Sequence, residues 1–109
     1  MVTISRKQSD AVFKAIADPT RREILRLLRS GERTVGGIAA NFRTSRPAIS
    51  KHLRLLRSAG LVATRRRGTA RLCQLKGRPL VAVSEWVRDY EVFWKESLRN
   101  LKQFVEENP

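Results

Sequence analysis

Arg46, Pro47, Ser50, Lys51 and Arg54 fall at spacings that an α-helix gathers on one side. On a helical wheel centred on Ile49, the residues Ala48, Ile49, His52, Leu53, Leu55, Leu56 and Ala59 fill one arc. Arg46, Pro47, Ser50, Lys51, Arg54, Arg57 and Ser58 fill the other, with no carboxylate among them. Arginine can grip guanine O6 and N7 with two hydrogen bonds, and serine can donate or accept. Such donors near a helix N-terminus suit base edges in a major groove. Arg46, Pro47, Ser50 and Lys51 occupy the half expected to enter the groove. Arg54 and Arg57 lie further back, where phosphates would be. A second basic group, Arg65-Arg66-Arg67-Gly68-Thr69, has the composition of a hairpin tip that reaches the backbone or an adjacent minor groove. The plain alternative for both groups is an ordinary solvated basic surface.

The distribution of charge favours the polyanion. Of the formal +13, residues 1–32 carry +3 and residues 85–109 carry −2. Residues 33–84 carry 12 basic and no acidic side chains, so nearly all the excess sits in one stretch. A surface tuned only for solubility would intersperse carboxylates; this one suits phosphates.

Other chemistries lack their parts. No nucleophile–base pair, phosphate loop or carboxylate dyad can be assembled, so an enzyme is not expected. The single cysteine, Cys73, excludes an intramolecular disulfide and any CxxC site. It shares a strand face with Leu75 and reads as a small buried hydrophobe rather than a redox switch. His52 sits on the apolar arc with no Cys, Asp or second His placed to join it, and reads as a packed histidine with one hydrogen bond. No metal site and no cofactor is expected. With no apolar signal segment and no membrane-spanning run, the expected compartment is a reducing cytosol.

The elements needed to position these groups can be read from caps and breakers. Residues 8–17 read as a short helix. Asp18-Pro19 caps and starts a second, which runs to about Ser30 and ends at Gly31. Thr34 caps a third, Val35–Phe42, weakened by Gly36 and Gly37. Ser45 caps a fourth that reaches about Ser58 and stops at Ala59-Gly60. Leu61–Arg65 and Ala70–Leu75 read as a hairpin turning at Gly68. From Leu80 to about Glu107 there is no Gly or Pro. Those 28 residues would make one helix of roughly 42 Å. The expected fold is mainly α with a small β-hairpin: one winged helix-turn-helix domain over 1–109. Its helix-turn-helix covers about 34–58, its wing about 61–75 and its C-terminal dimerisation helix about 80–107. Trp86, Tyr90, Phe93 and Trp94 form an aromatic stripe at helical spacing, which suggests pairing with a second copy.

Three segments, Phe13-Lys-Ala-Ile-Ala-Asp-Pro-Thr-Arg-Arg-Glu-Ile-Leu25, Ser45-Arg-Pro-Ala-Ile-Ser-Lys-His-Leu53 and Ala59-Gly-Leu-Val62, closely resemble the ArsR/SmtB family of bacterial transcriptional repressors. The resemblance implies a dimeric winged helix-turn-helix that binds an imperfect inverted repeat in double-stranded DNA, in the bacterial cytoplasm at the nucleoid. It places DNA contacts on Ser45, Arg46, Pro47, Ser50 and Lys51. Arg54, Arg65, Arg66, Arg67 and Thr69 join them from the charge pattern. It also places a dimer interface on the first and last helices, where Val12, Ile16, Val83, Trp86, Tyr90, Phe93 and Trp94 are the candidates. The metal-sensing cysteine pair of many members is replaced here by Thr34-Val-Gly-Gly-Ile-Ala, and the last helix offers Glu85, Asp89 and Glu91 without a histidine. The chain therefore resembles the metal-independent, autorepressor-type branch. Two other functions compete: a non-specific architectural or RNA-binding basic protein, and a regulator whose aromatic last helix senses a small molecule. The inducer, if there is one, is unknown.

Overall fold

The computed structural model describes residues 4–108, so residues 1–3 and Pro109 lie outside the described part. The helix α1 (Arg6–Ile16) starts two residues earlier than its apolar spacing implies, because Ser5 caps it by accepting the Gln8 N–H at 3.0 Å. The helix α2 (Pro19–Leu28) begins as expected. Asp18 Oδ2 accepts the Arg21 N–H at 3.0 Å, and proline fills the first turn. Gly31 leaves it at φ 140°. A two-residue strand, β1 (Arg33–Thr34), precedes α3 (Val35–Ala39), which Thr34 caps through the Gly37 N–H at 3.0 Å. That helix is shorter than the sequence suggests, and residues 40–44 form the turn into α4 (Arg46–Ser58), capped by Ser45.

Gly60, at φ 78°, turns the chain from α4 into the sheet. The strands β2 (Val62–Arg67) and β3 (Ala70–Leu75) pair antiparallel, with Arg67 opposite Ala70 across Gly68-Thr69. Gly68 at φ 62°, with no positive φ at Thr69, fits the two-residue turns that follow the twist of a hairpin. The strand β1 adds to the free edge of β3, giving the order β1-β3-β2. Two residues have no period to read, so β1 was not legible in the sequence.

Val12, Ile24, Ile38, Ile49, Leu56 and Leu61 are fully buried, one or more from each of α1 to α4 and the start of the wing. This one cluster fixes α4 against the rest, so that its opposite side must face water. The arrangement is a winged helix-turn-helix: α3, a tight turn, α4, then the hairpin.

The C-terminal region departs from the expectation of a single long helix. A 3₁₀ turn (Arg78–Leu80) leads into α5 (Val81–Arg88), and α6 (Glu91–Glu107) follows after a break. At the break the Tyr90 N–H donates to Val87 O at 2.9 Å, a tightened turn. Asp89 and Tyr90 both keep right-handed φ, so no Gly or Pro was needed, and none marked the site in the sequence. The break falls where packing ends. Before it, α5 buries Ala82, and Trp86 meets Phe13 of α1 edge-on, ring centroids 6.0 Å apart. After it, α6 buries no residue.

Candidate nucleic-acid interface

The helix α4 carries the split that its wheel implied. Ile49, Leu53 and Leu56 are buried, while Arg46, Pro47, Lys51 and Arg54 are exposed. Leu55 is the exception on the apolar arc: it lies at the edge and is 39% exposed. Ser50 is half-buried and borders a crevice of 60 Å³ between α4 and the wing, with Arg57, Thr64, Arg71 and Cys73. The guanidinium of Arg46 folds back over α3, about 3.8 Å from where a Cβ on Gly36 would stand.

The wing arginines, which look equivalent in the sequence, are divided by the pleat. Successive side chains of a strand point to opposite faces. Val62, Thr64 and Arg66 share one face with their partners Leu75, Cys73 and Arg71, and this face carries the buried Val62 and Cys73. Arg65 and Arg67 lie on the other. Arg65 is held there by Glu32: its Nε donates to Oε1 at 3.0 Å and its Nη2 to Oε2 at 2.8 Å. These bonds hold the Glu32 carboxyl below the usual glutamate value and push the Arg65 guanidinium up. Arg66 stands directly opposite Arg71 instead. Like charges in register repel, and a phosphate near both would relieve the repulsion. Sequence reasoning passed over Arg71 and Glu32; only strand register and the fold of the α2–β1 loop reveal them. Thr69 is exposed at the tip.

His52 has company that the sequence did not suggest. Its Nδ1 lies 3.2 Å from Arg21 Nη1 and 4.0 Å from Asp18 Oδ2, so an aspartate 34 positions away does join it. A guanidinium has no acceptor, so a hydrogen bond between these two groups needs the ring to accept at Nδ1. Arg21 also donates through Nε to Ala15 O at 2.6 Å and through Nη2 to Lys14 O at 3.2 Å, while Arg22 Nη1 donates to Ile16 O at 2.8 Å. The Asp-Pro-Thr-Arg-Arg segment thus caps α2 with its aspartate and closes the C-terminal carbonyls of α1 with its arginines. The Arg21 N–H, bonded to the Asp18 carboxylate, holds that carboxyl below the usual aspartate value. The cluster ties α4 from behind to the corner between α1 and α2. Among the described residues no three His, Cys, Asp or Glu side chains gather where they could hold a metal ion. Cys73 is fully buried, and burial pushes its thiol up, which opposes thiolate chemistry.

Of the residues named for a dimer interface, Val12 is corrected. It is fully buried in the chain's own core and offers no surface for a second copy. Ile16 and Val83 are half-buried. Trp86, Tyr90, Phe93 and Trp94 are exposed, and α6 continues the apolar surface with Leu98, Leu101 and Phe104. No helix among the described residues is long and apolar enough to cross a membrane.

An exposed basic helix seated by a helix-turn-helix core, flanked by a wing, defines the class of winged helix-turn-helix regulators. Comparison with known proteins specifies the family. Residues 18–64, from the Asp18 cap to the middle of β2, match the model of the bacterial regulatory protein, arsR family. The HTH-type transcriptional regulator Rv2034 of Mycobacterium tuberculosis is 37% identical over 100 residues, covering 92% of this chain and 91% of that one. The transcriptional repressor SdpR of Bacillus subtilis is 53% identical over 57 residues, spanning 52% of this chain and 63% of SdpR. Among solved structures, an ArsR family transcriptional regulator designated RHA00566 superposes with a TM-score of 0.74 at 32% identity, over 86% of this chain and 97% of that one. The chain belongs to the arsR family of bacterial regulatory proteins. It is a transcriptional regulator and not an enzyme.

Proposed function

We propose that this protein is a transcriptional repressor that binds an inverted-repeat operator in double-stranded DNA as a homodimer, in the bacterial cytoplasm. The observation that carries the reading is the outward face of α4. Arg46, Pro47, Lys51 and Arg54 stand exposed on a helix whose other side is locked into the core, in a stretch without one carboxylate. Arg46 and Lys51 read base edges, Ser45 and Ser50 assist, and Arg54 with the wing holds phosphates. Arg66, Arg67 and Thr69 supply the wing contacts, and Arg65 contributes only as far as Glu32 releases it. Two α4 helices must reach successive major grooves, about 34 Å apart, and pairing of the exposed α5–α6 surface supplies the second copy.

Selection of bound sequences from random duplex DNA tests this. An enriched inverted repeat is expected. Enrichment of no motif would overturn the operator reading in favour of a non-specific architectural protein.

A further inference from the structure

Along one edge of α2, where the core reaches the surface beside the end of β3, runs a groove that none of the residues assigned to DNA helps to build and that shares only Ile16 with the candidate dimer interface. Ile16 at the end of α1, Leu25 of α2, Leu75 at the end of β3 and Leu80 in the following turn make an apolar floor. Arg22, Arg26 and Arg29 line the same groove of 420 Å³, a volume within the usual range for small-molecule sites. These arginines stand four and three residues apart, so α2 stacks them on one side, where like charges repel. Among the described residues only Arg26 of the three is ion-paired, to Glu23 at 3.1 Å, and Arg22 gives one nitrogen to Ile16 O. Arg29 forms no ion pair among the described residues. A greasy floor under an edge of under-neutralised guanidinium groups is complementary to one kind of molecule.

We propose that this groove binds a small anionic amphiphile, with an alkyl body on Leu25, Leu75 and Leu80 and a carboxylate or phosphate head on Arg26 and Arg29. The guanidinium fork suits either head group through paired, charge-assisted hydrogen bonds. The site lies where β3 hands over to the turn that leads into α5, the junction between the wing and the C-terminal helices.

Isothermal titration calorimetry of the full chain with octanoate, octyl phosphate and neutral 1-octanol, each below its aggregation limit, tests the proposal without DNA. A failed operator reading therefore leaves it intact. One octanoate or octyl phosphate per chain is expected, bound at least about tenfold more tightly than the alcohol; the tighter anion identifies the head group. The exposed double variant Arg26→Glu/Arg29→Glu should lose about tenfold in anion affinity, and methyl resonances of Leu75 and Leu80 should shift on binding. Equal binding of the alcohol, an unaffected double variant, or shifts confined to Leu98 and Leu101 of α6 would each overturn it.

Discussion

The division of the wing arginines makes a quantitative prediction about salt. Each phosphate neutralised on B-DNA contributes about −0.9 to the slope of log affinity against log salt. Arg66→Ala removes one such cation per protomer, hence two per proposed dimer, and the slope should flatten by about 1.8. Between 50 and 200 mM salt, a fourfold change, the variant should then lose about twelvefold less affinity than the parent. Arg71→Ala should act alike, because Arg71 sits opposite Arg66 on the same face. The outer pair is the control. Arg65 is already neutralised by a two-pronged contact with Glu32. Deleting both charges together, as Arg65→Ala/Glu32→Gln, should leave the slope unchanged within error. Fluorescence anisotropy on a random-sequence duplex across that salt range reads all three. If the neutral double variant flattens the slope as much as Arg66→Ala, Glu32 does not hold Arg65 back from the phosphates, and the distinction drawn between Arg65 and Arg66 is wrong.

Other consequences concern the scaffold. Arg21→Ala removes two bonds to the last carbonyls of α1 and one to His52, and should cost about 2 kcal/mol in urea unfolding; Arg22→Ala, with one exposed bond, should cost less than about 1. A Cβ on Gly60 would meet Gln8 Nε2 at 2.9 Å in a left-handed backbone, so Gly60→Ala should lower stability by about 1–2 kcal/mol. Gly36→Ala meets nothing closer than the Arg46 guanidinium at 3.8 Å, and thermal melts should show no loss. The depressed Asp18 carboxyl contributes stability that is complete above its unfolded value, near pH 4, and is lost as pH falls through its lower folded value. Acid titration of unfolding should therefore be shallower in Asp18→Asn over that window, and an unchanged acid limb would refute the assignment. Trp94→Glu places a carboxylate in the proposed dimer seam and should sediment as a monomer; a variant that stays dimeric removes Trp94 from it.

How far the sequence could be read depended on the range of the forces involved. Asp18, Thr34 and Ser45 were legible as caps because each satisfies an N–H only three residues on. The sides of α4 were legible for the same reason, since periodicity needs no partner. What escaped was non-local. Glu32 meets Arg65 across 33 positions and Arg21 meets His52 across 31, and nothing near any of them marks the pairing. Arg71 escaped because its importance comes from strand register. Val12 carries the apolar character of an interface residue and of a core residue equally, and only the packing of α1 against α2 and α4 decides for the core. The break at Asp89-Tyr90 escaped because its cause is the end of packing rather than a residue with a special backbone.

That break also bears on what α6 is for. A 17-residue helix is near the length at which isolated helices are marginal in water, and most helical stability comes from burying an amphipathic face. Here α6 buries nothing within its own chain, lacks a side-chain cap and exposes Phe93, Trp94, Leu98, Leu101 and Phe104. Propensity alone does not explain so much unpartnered apolar surface on one element, which is characteristic of association sites. The charge pattern favours a second copy over nucleic acid as the partner. Residues 85–109 carry −2, whereas residues 33–84 carry +12, so phosphates are attracted to α4 and the wing and repelled from α6. An apolar, mildly acidic arm on a basic body can meet its own kind while the body meets DNA, and the two associations need not compete for surface.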